Sequence, residues 1–192
     1  MPQPKHISKL PVPARGKIVD EDIKAYFAKC DEKIGFVPNV LRAYTFKPDR
    51  WRSFVKMYHA LMDKQTSKLS PLEREMIAVV VSSANRCYYC LVAHGAAVRK
   101  LSGDPQLGEM LVMNYRVAEL SKRHRAMLDF AWKVTETPYL IEDPDRQALR
   151  KAGFDDEDIF DIAEVAGFYN MSNRVAYATD MMPNPEYHKL DR

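Results

Sequence analysis

Two cysteines stand three positions apart in the run Cys87-Tyr88-Tyr89-Cys90, and His94 follows the second by four. On a helix, at about 100° per residue, Cys87, Cys90 and His94 fall within an arc of about 60°. The two sulfurs can then pair as a disulfide, and the imidazole can reach one of them. A thiol in the first turn of a helix has its pKa lowered by the helix dipole. That supplies the thiolate which a reaction with a peroxide or a disulfide requires. The chemistry expected here is redox chemistry at sulfur.

A fourth residue enters through geometry. The segment Ser70-Pro71-Leu72-Glu73 is a capping box with proline at the first helical position, so a helix should run from Pro71 to about Ala84. Asn85 and Arg86 read as a break, and a second helix begins around Cys87 and ends near Ser102-Gly103. If the two form an antiparallel hairpin, facing residues have a constant sum of positions. The midpoint of Glu75 and His94 falls at that break, so Glu75 should lie at the depth of His94. The order is then carboxylate, imidazole, thiol, the logic of an activated nucleophile.

The same residues carry other readings. Cys87, Cys90 and His94 supply three ligands of a structural zinc site, with Cys30, His59 or Glu75 as the fourth. No second C-x-x-C or histidine pair accompanies them. Two cysteines packed in a helical core would be inert. Taken alone, Glu75 is a solvated charge beside Glu73 and Arg74 in a first turn, where acids are favoured. Cys30 sits on an apolar stripe and reads as core; His59 reads as a helix-surface histidine. Phe168 and Tyr169, with Asn170 and Asn173, read as core packing or a subunit seam before cavity lining. Tyr88 and Tyr89 gate the thiols or form an interface, and the sequence does not choose.

The elements that hold these groups are helical. Asp20 caps a helix with Ile23, Phe27, Cys30 and Ile34 on its apolar face, and Gly35 ends it. Pro38 opens a short helix through Leu41 and Tyr44. Pro48 opens a longer one with Trp51, Phe54, Val55, Tyr58 and Met62 on one side. Asp104-Pro105, Ser121, Asp143-Pro144 and Asp155 or Asp156 start four more, the last with Ile159, Ile162, Ala163, Ala166 and Tyr169 on one stripe. No segment alternates at period two and no internal repeat is present. The class is all-α, a bundle of roughly eight helices with a hairpin carrying the C-x-x-C motif. A Pro-rich arm over 1–19, with Pro2, Pro4, Pro11 and Pro13, precedes a single domain over 20–181 and a tail over 182–192.

Composition closes off several functions. The chain has 192 residues, enough for one sizeable core. Lys plus Arg is 29 and Asp plus Glu is 26, a net charge of +3, which argues against a dedicated nucleic-acid binder. Glycines number 7, about half the usual share, and no Gly-rich phosphate or dinucleotide loop is present. The longest apolar run, Met76 to Val81, is far too short for a bilayer, so no membrane association is expected. The first residues lack the apolar core of a signal peptide, and three cysteines at this spacing are not a disulfide scaffold. A cytoplasmic protein is expected.

Glu75, eleven residues, C-x-x-C, three residues and His94 together resemble the alkyl hydroperoxidase D-like (AhpD-like) proteins of the carboxymuconolactone decarboxylase superfamily. LSPLEREMIAVVVSSANRCYYCLVAHG is similar to their longer, peroxidase-related branch, and GFVPNVLRA at Gly35 to Ala43 and DIAEVAGFYNMSNRVA at Asp161 to Ala176 agree. The resemblance spans most of the chain. It implies an AhpD-like all-α fold and a homo-oligomer, as a dimer, trimer or hexamer. It also implies a thiol peroxidase acting on organic hydroperoxides without metal or other cofactor. By that resemblance Cys90 is peroxidatic, Cys87 resolving, and His94 with Glu75 the proton relay. An external dithiol, thioredoxin-like or lipoyl, would restore the pair. The family often carries histidine just before the second cysteine; Tyr89 stands there instead, which implies a shorter relay or a different substrate. A protein thiol–disulfide reductase using the same residues is the alternative. A decarboxylase fits less well, since C-x-x-C is not typical of that branch.

Overall fold

Local side-chain caps set most of the helix starts. Asp20 accepts from the Ile23 N–H ahead of α1 (Glu21–Ile34), and Gly35, in the left-handed region at φ 82°, ends it. Pro38 precedes α2 (Asn39–Tyr44), and Pro48 opens α3 (Pro48–Met62). Ser70 and Glu73 cap each other's backbone at the start of α4 (Pro71–Ala84). After a break comes α5 (Tyr88–Ser102), then α6 (Pro105–Asn114) capped by Asp104 and α7 (Lys122–Glu136) capped by Ser121. α8 (Asp143–Lys151) and α9 (Asp156–Ala178), the latter capped by Asp155, complete the series. The computed structural model describes residues 3–63 and 67–192. Among these, nine α-helices and four short 3-10 segments occur and no strand, so the all-α expectation holds. Met1 and Pro2 of the expected arm lie outside the described residues. Among the described residues no helix is long and apolar enough to cross a membrane.

The core is built around α4, which packs against α5, α6, α7 and α9. Every side chain from Glu73 to Ser82 is buried. Each valine removed from water there stabilises the fold by about 1.5–3 kcal/mol. The same enclosure forces the helix's charges inside, where each needs a partner. Glu73 accepts from Arg123 Nε at 2.8 Å, and Arg74 Nη1 donates to the Asp63 carbonyl at 2.8 Å.

Both chain ends fold back onto the bundle. Ser8 Oγ and the Lys9 N–H donate to the Thr179 carbonyl, and the Met182 N–H donates to the Ile7 carbonyl. Past α9, Asn184 accepts from the Asn39 N–H at 2.7 Å and donates to the Val37 carbonyl at 3.0 Å. The buried Arg99 of α5 donates to the carbonyls of Tyr187 and Leu190, holding a 3-10 turn at Pro185–Lys189 over the helices.

Arg99 has room only because α6 carries a glycine where it crosses α5. A Cβ on Gly108 would sit 2.6 Å from Arg99 Cγ and 3.3 Å from the Gly95 carbonyl oxygen. Gly108→Ala is therefore expected to destabilise the protein by about 1–3 kcal/mol through overpacking. Urea unfolding measures this, and a midpoint equal to wild type would show that Arg99 moves aside freely.

Candidate functional site

The turn between α4 and α5 fixes where the two sulfurs stand. Arg86 is in the left-handed region at φ 57°, and its carbonyl accepts from the Tyr177 hydroxyl at 2.7 Å. Asn85 Nδ2 bridges the side-chain oxygens of Asn170 and Asn173, both at 3.0 Å. The turn is thus tied to α9 from both of its residues. Cys87 follows as the N-cap of α5 rather than as a first-turn residue, and Cys90 and His94 lie along the helix behind it.

Glu75 and His94 meet. Glu75 Oε2 lies 2.7 Å from His94 Nδ1, with both side chains largely buried. A carboxylate only accepts, so the Nδ1 proton is donated to Glu75 and Nε2 is left with its lone pair free to act as a base. The ring packs edge-on against Tyr169, with centroids 4.6 Å apart.

Cys87 and Cys90 are both free thiols and each is 2% exposed. They share a proton unequally. The Cys87 thiol is lowered to about 7, chiefly because the Cys90 S–H points at it. The backbone N–H groups of Cys90 and Tyr89 and the His94 ring add to this, against the opposing effect of burial. Cys90 is pushed well above the ordinary thiol range by its sulfur neighbour and by burial, while the Asn173 and Ser82 side chains favour its anion. Asn173 Nδ2 donates to Ser82 Oγ at 3.1 Å, so this pair forms one buried polar patch under the sulfur.

These causes give a measurable order. Alkylation of Cys87 by iodoacetamide is expected to rise with a midpoint near pH 7, below the ordinary cysteine value of about 8.5. Cys90→Ala removes the largest cause, so the midpoint should move up. A midpoint that stays put would show that the helix N-terminus alone sets it. Because folding lowers this pKa, the thiolate's contribution to stability is present at alkaline pH and is lost as pH falls through about 7.

Cys90 and His94 open on a cavity of ≈ 220 Å³. Its wall is mostly aromatic and aliphatic: Tyr26 from α1, Phe54, Val55 and Tyr58 from α3, Tyr89 from α5, and Phe168 and Tyr169 from α9. Burial raises the hydroxyl pKa of Tyr26 to about 12 and pushes Tyr58, Tyr89, Tyr169 and Tyr187 up as well, so all five remain neutral phenols. Among the described residues no lysine or arginine lines it.

The structure adds to some expectations and corrects others. Cys30, half-buried, packs against the core as expected and also lines this cavity. Ile34, on the same stripe, is exposed at the rim rather than buried. Phe168 and Tyr169 belong to the core and line the cavity as well, whereas Asn170 and Asn173 serve the hydrogen-bond network beside it. His59 stands outside, bonded through Nε2 to the Tyr26 hydroxyl at 2.9 Å. Tyr89 does not extend the Glu75–His94 pair, since its hydroxyl accepts from the Val40 N–H at 2.9 Å. Among the described residues no three His, Cys, Asp or Glu side chains converge as a metal site. Sequence reasoning missed Tyr187, Ser82 and the link from Asn85 to α9. Tyr187 comes from the tail, its ring edge-on to Phe36 at 4.9 Å, and forms part of the cavity wall.

Comparison with known proteins identifies the family. The model of the carboxymuconolactone decarboxylase family matches residues 48–131. A crystal structure of an uncharacterised peroxidase-related protein from Silicibacter sp. TM1040 is 59% identical over 100% of both chains, with a TM-score of 0.94. A second structure, described as an alkylhydroperoxidase AhpD core and an uncharacterised peroxidase-related protein from Ralstonia eutropha JMP134, is 41% identical over 98% of both chains, also with a TM-score of 0.94. The debrominase Bmp8 in complex with 2,3,4-tribromopyrrole shares the fold at 16% identity, covering 96% of this chain and 95% of its own, with a TM-score of 0.78. No curated protein matches this chain. With these two close relatives spanning essentially its whole length, the chain belongs to the AhpD-like group of the carboxymuconolactone decarboxylase family.

Proposed function

We propose that this protein is a thiol-dependent peroxidase that reduces organic hydroperoxides through Cys90 and Cys87. The observation that carries the reading is the meeting of Cys90 and the Glu75–His94 pair at one apolar cavity. His94 Nε2 takes the Cys90 proton. The Cys90 thiolate attacks the terminal peroxide oxygen, the O–O bond breaks, and the alkoxide leaves as alcohol with the proton held by His94. Cys90 is then a sulfenic acid. The Cys87 thiolate, its own proton already lost to solvent, attacks that sulfur and displaces hydroxide, which takes a proton from solvent and leaves as water, and a disulfide joins the pair. An external dithiol reduces it. A lowered pKa suits Cys87 to the resolving step, which needs a thiolate at neutral pH.

The cavity wall supports an organic substrate over hydrogen peroxide, since its aromatic rings reward apolar surface. The low exposure of both sulfurs disfavours action on disulfides of folded proteins. Assembly into a homo-oligomer and a cytoplasmic location belong to the same proposal. Met113, Tyr139 and Phe160 stand in solvent and support the first, and free thiols suit the second.

The test is one equivalent of cumene hydroperoxide on the reduced protein, followed by peptide mass spectrometry. A Cys87–Cys90 disulfide with Cys30 still free is expected. Thiols left unchanged would overturn the reading.

A further inference from the structure

The two sulfurs do not open on the same space. Cys90 lines the ≈ 220 Å³ cavity and Cys87 does not. Cys87 instead lies in a separate recess of ≈ 80 Å³, with Tyr88, Ala176, Tyr177, Asp180 and Met182 around it. Among the described residues Tyr89 alone lines both. Its ring is buried and its hydroxyl is held by the Val40 N–H, so it stands as a fixed partition.

We propose that the two half-reactions use two entries. The hydroperoxide reaches Cys90 through the tyrosine-lined cavity, and the reductant reaches Cys87 through the recess. The identity of the oxidant rests on the peroxidase reading; the second entry does not. The recess selects its reductant by size and charge. Cys87 is 2% exposed and the recess it lines holds only ≈ 80 Å³, room for a slender chain ending in a thiol but not for the surface of a folded protein. Asp180 lines it, its carboxylate 2.9 Å from His6 Nε2, and among the described residues no lysine or arginine does, so the recess offers an anionic thiol such as glutathione no cationic partner and favours a neutral dithiol.

The exchange balances at this position. A reductant thiolate attacks Cys87 Sγ, the Cys87–Cys90 bond breaks, and the electron pair goes to Cys90 Sγ, which takes a proton supplied from solvent through His94. The second thiol of the reductant then gives its proton to solvent and attacks its own mixed disulfide, releasing Cys87 as thiolate and the reductant as a cyclic disulfide. The Cys90 thiol pKa is raised first by its hydrogen bond to the Cys87 sulfur, then by burial, then by the Cys87 charge; burial persists, but the two Cys87 causes do not. Both are absent while Cys87 is held in the mixed disulfide, so Cys90 becomes a better leaving group at that moment.

The experiment loads the disulfide with diamide, which needs no peroxide, and follows its reduction by dithiothreitol in stopped flow. Met182→Trp, at the recess, should slow reduction about tenfold or more and leave oxidation by cumene hydroperoxide within about twofold of wild type. Tyr187→Trp, in the cavity wall, should do the reverse. Asp180→Asn keeps a residue that tolerates the φ of 49° there and should raise the rate with glutathione relative to dithiothreitol. Reduction unaffected by Met182→Trp but slowed by Tyr187→Trp would mean one shared entry and would overturn the proposal. Failure of diamide to join the sulfurs would remove both readings. A protein that accepts diamide oxidation but not hydroperoxide would lose the peroxidase reading and keep the recess as the route to Cys87.

Discussion

Replacing Cys90 by serine is expected to lower hydroperoxide turnover by at least about a thousandfold. The thiolate is the nucleophile, and a serine hydroxyl in the same place stays protonated and attacks an O–O bond poorly. The Ser82–Asn173 patch beneath the sulfur accommodates a hydroxyl without an unpaired polar group, so the variant should fold. Cys87→Ser separates the roles. It should still consume one equivalent of hydroperoxide and stop at a Cys90 sulfenic acid that dimedone traps, since no neighbour remains to resolve it. The decisive comparison is single-turnover oxidation of the two variants. If Cys90→Ser oxidises at the wild-type rate and Cys87→Ser does not, the attacking sulfur is Cys87. That reversal is a serious alternative in electrostatic terms, because Cys87 is the sulfur whose anion the helix N-terminus favours. Access decides against it: Cys90, not Cys87, shares the larger cavity with His94.

What could be read from the chain was local or came from spacing. Asp20, Ser70 with Glu73, Asp104, Ser121 and Asp155 each cap a helix by bonding to backbone two or three residues on, an interaction wholly contained in a few residues. The meeting of Glu75 and His94 followed from a break midway between them, needing only that the helices fold back on each other. Ile34 was misplaced because an apolar stripe shows which face turns inward but not whether a neighbour fills the space it faces, and the same open space lets Cys30, packed against the core, line the cavity too. Tyr187 lay beyond reach for another reason. Its position depends on Arg99 and Asn184, whose bonds join parts of the chain far apart in sequence. The burial of Glu75 was also hidden: it stands one residue past the first turn, where an acid is normally solvated, and only packing on every side of α4 puts this one inside.

In the proposed relay Glu75 acts through His94, which makes it a positioning residue with a charge. Glu75→Gln separates those two contributions. The amide oxygen still accepts the Nδ1 proton, so the ring keeps its tautomer and aim, but the negative charge that steadies a protonated imidazole is lost. Turnover should fall by about a hundredfold, within the range for general acid–base assistance. His94→Ala removes the base itself and should fall at least as far. It should also raise the Cys87 alkylation midpoint, since His94 is one of the groups that lower that thiol. A role confined to packing would lower stability and leave both the midpoint and the pH profile of turnover where they are. If Glu75→Gln keeps the wild-type rate while Glu75→Ala loses it, the carboxyl serves only to orient the ring. Burial favours the charged role, because a bare carboxylate held in the interior is costly unless its partner becomes a cation during the reaction.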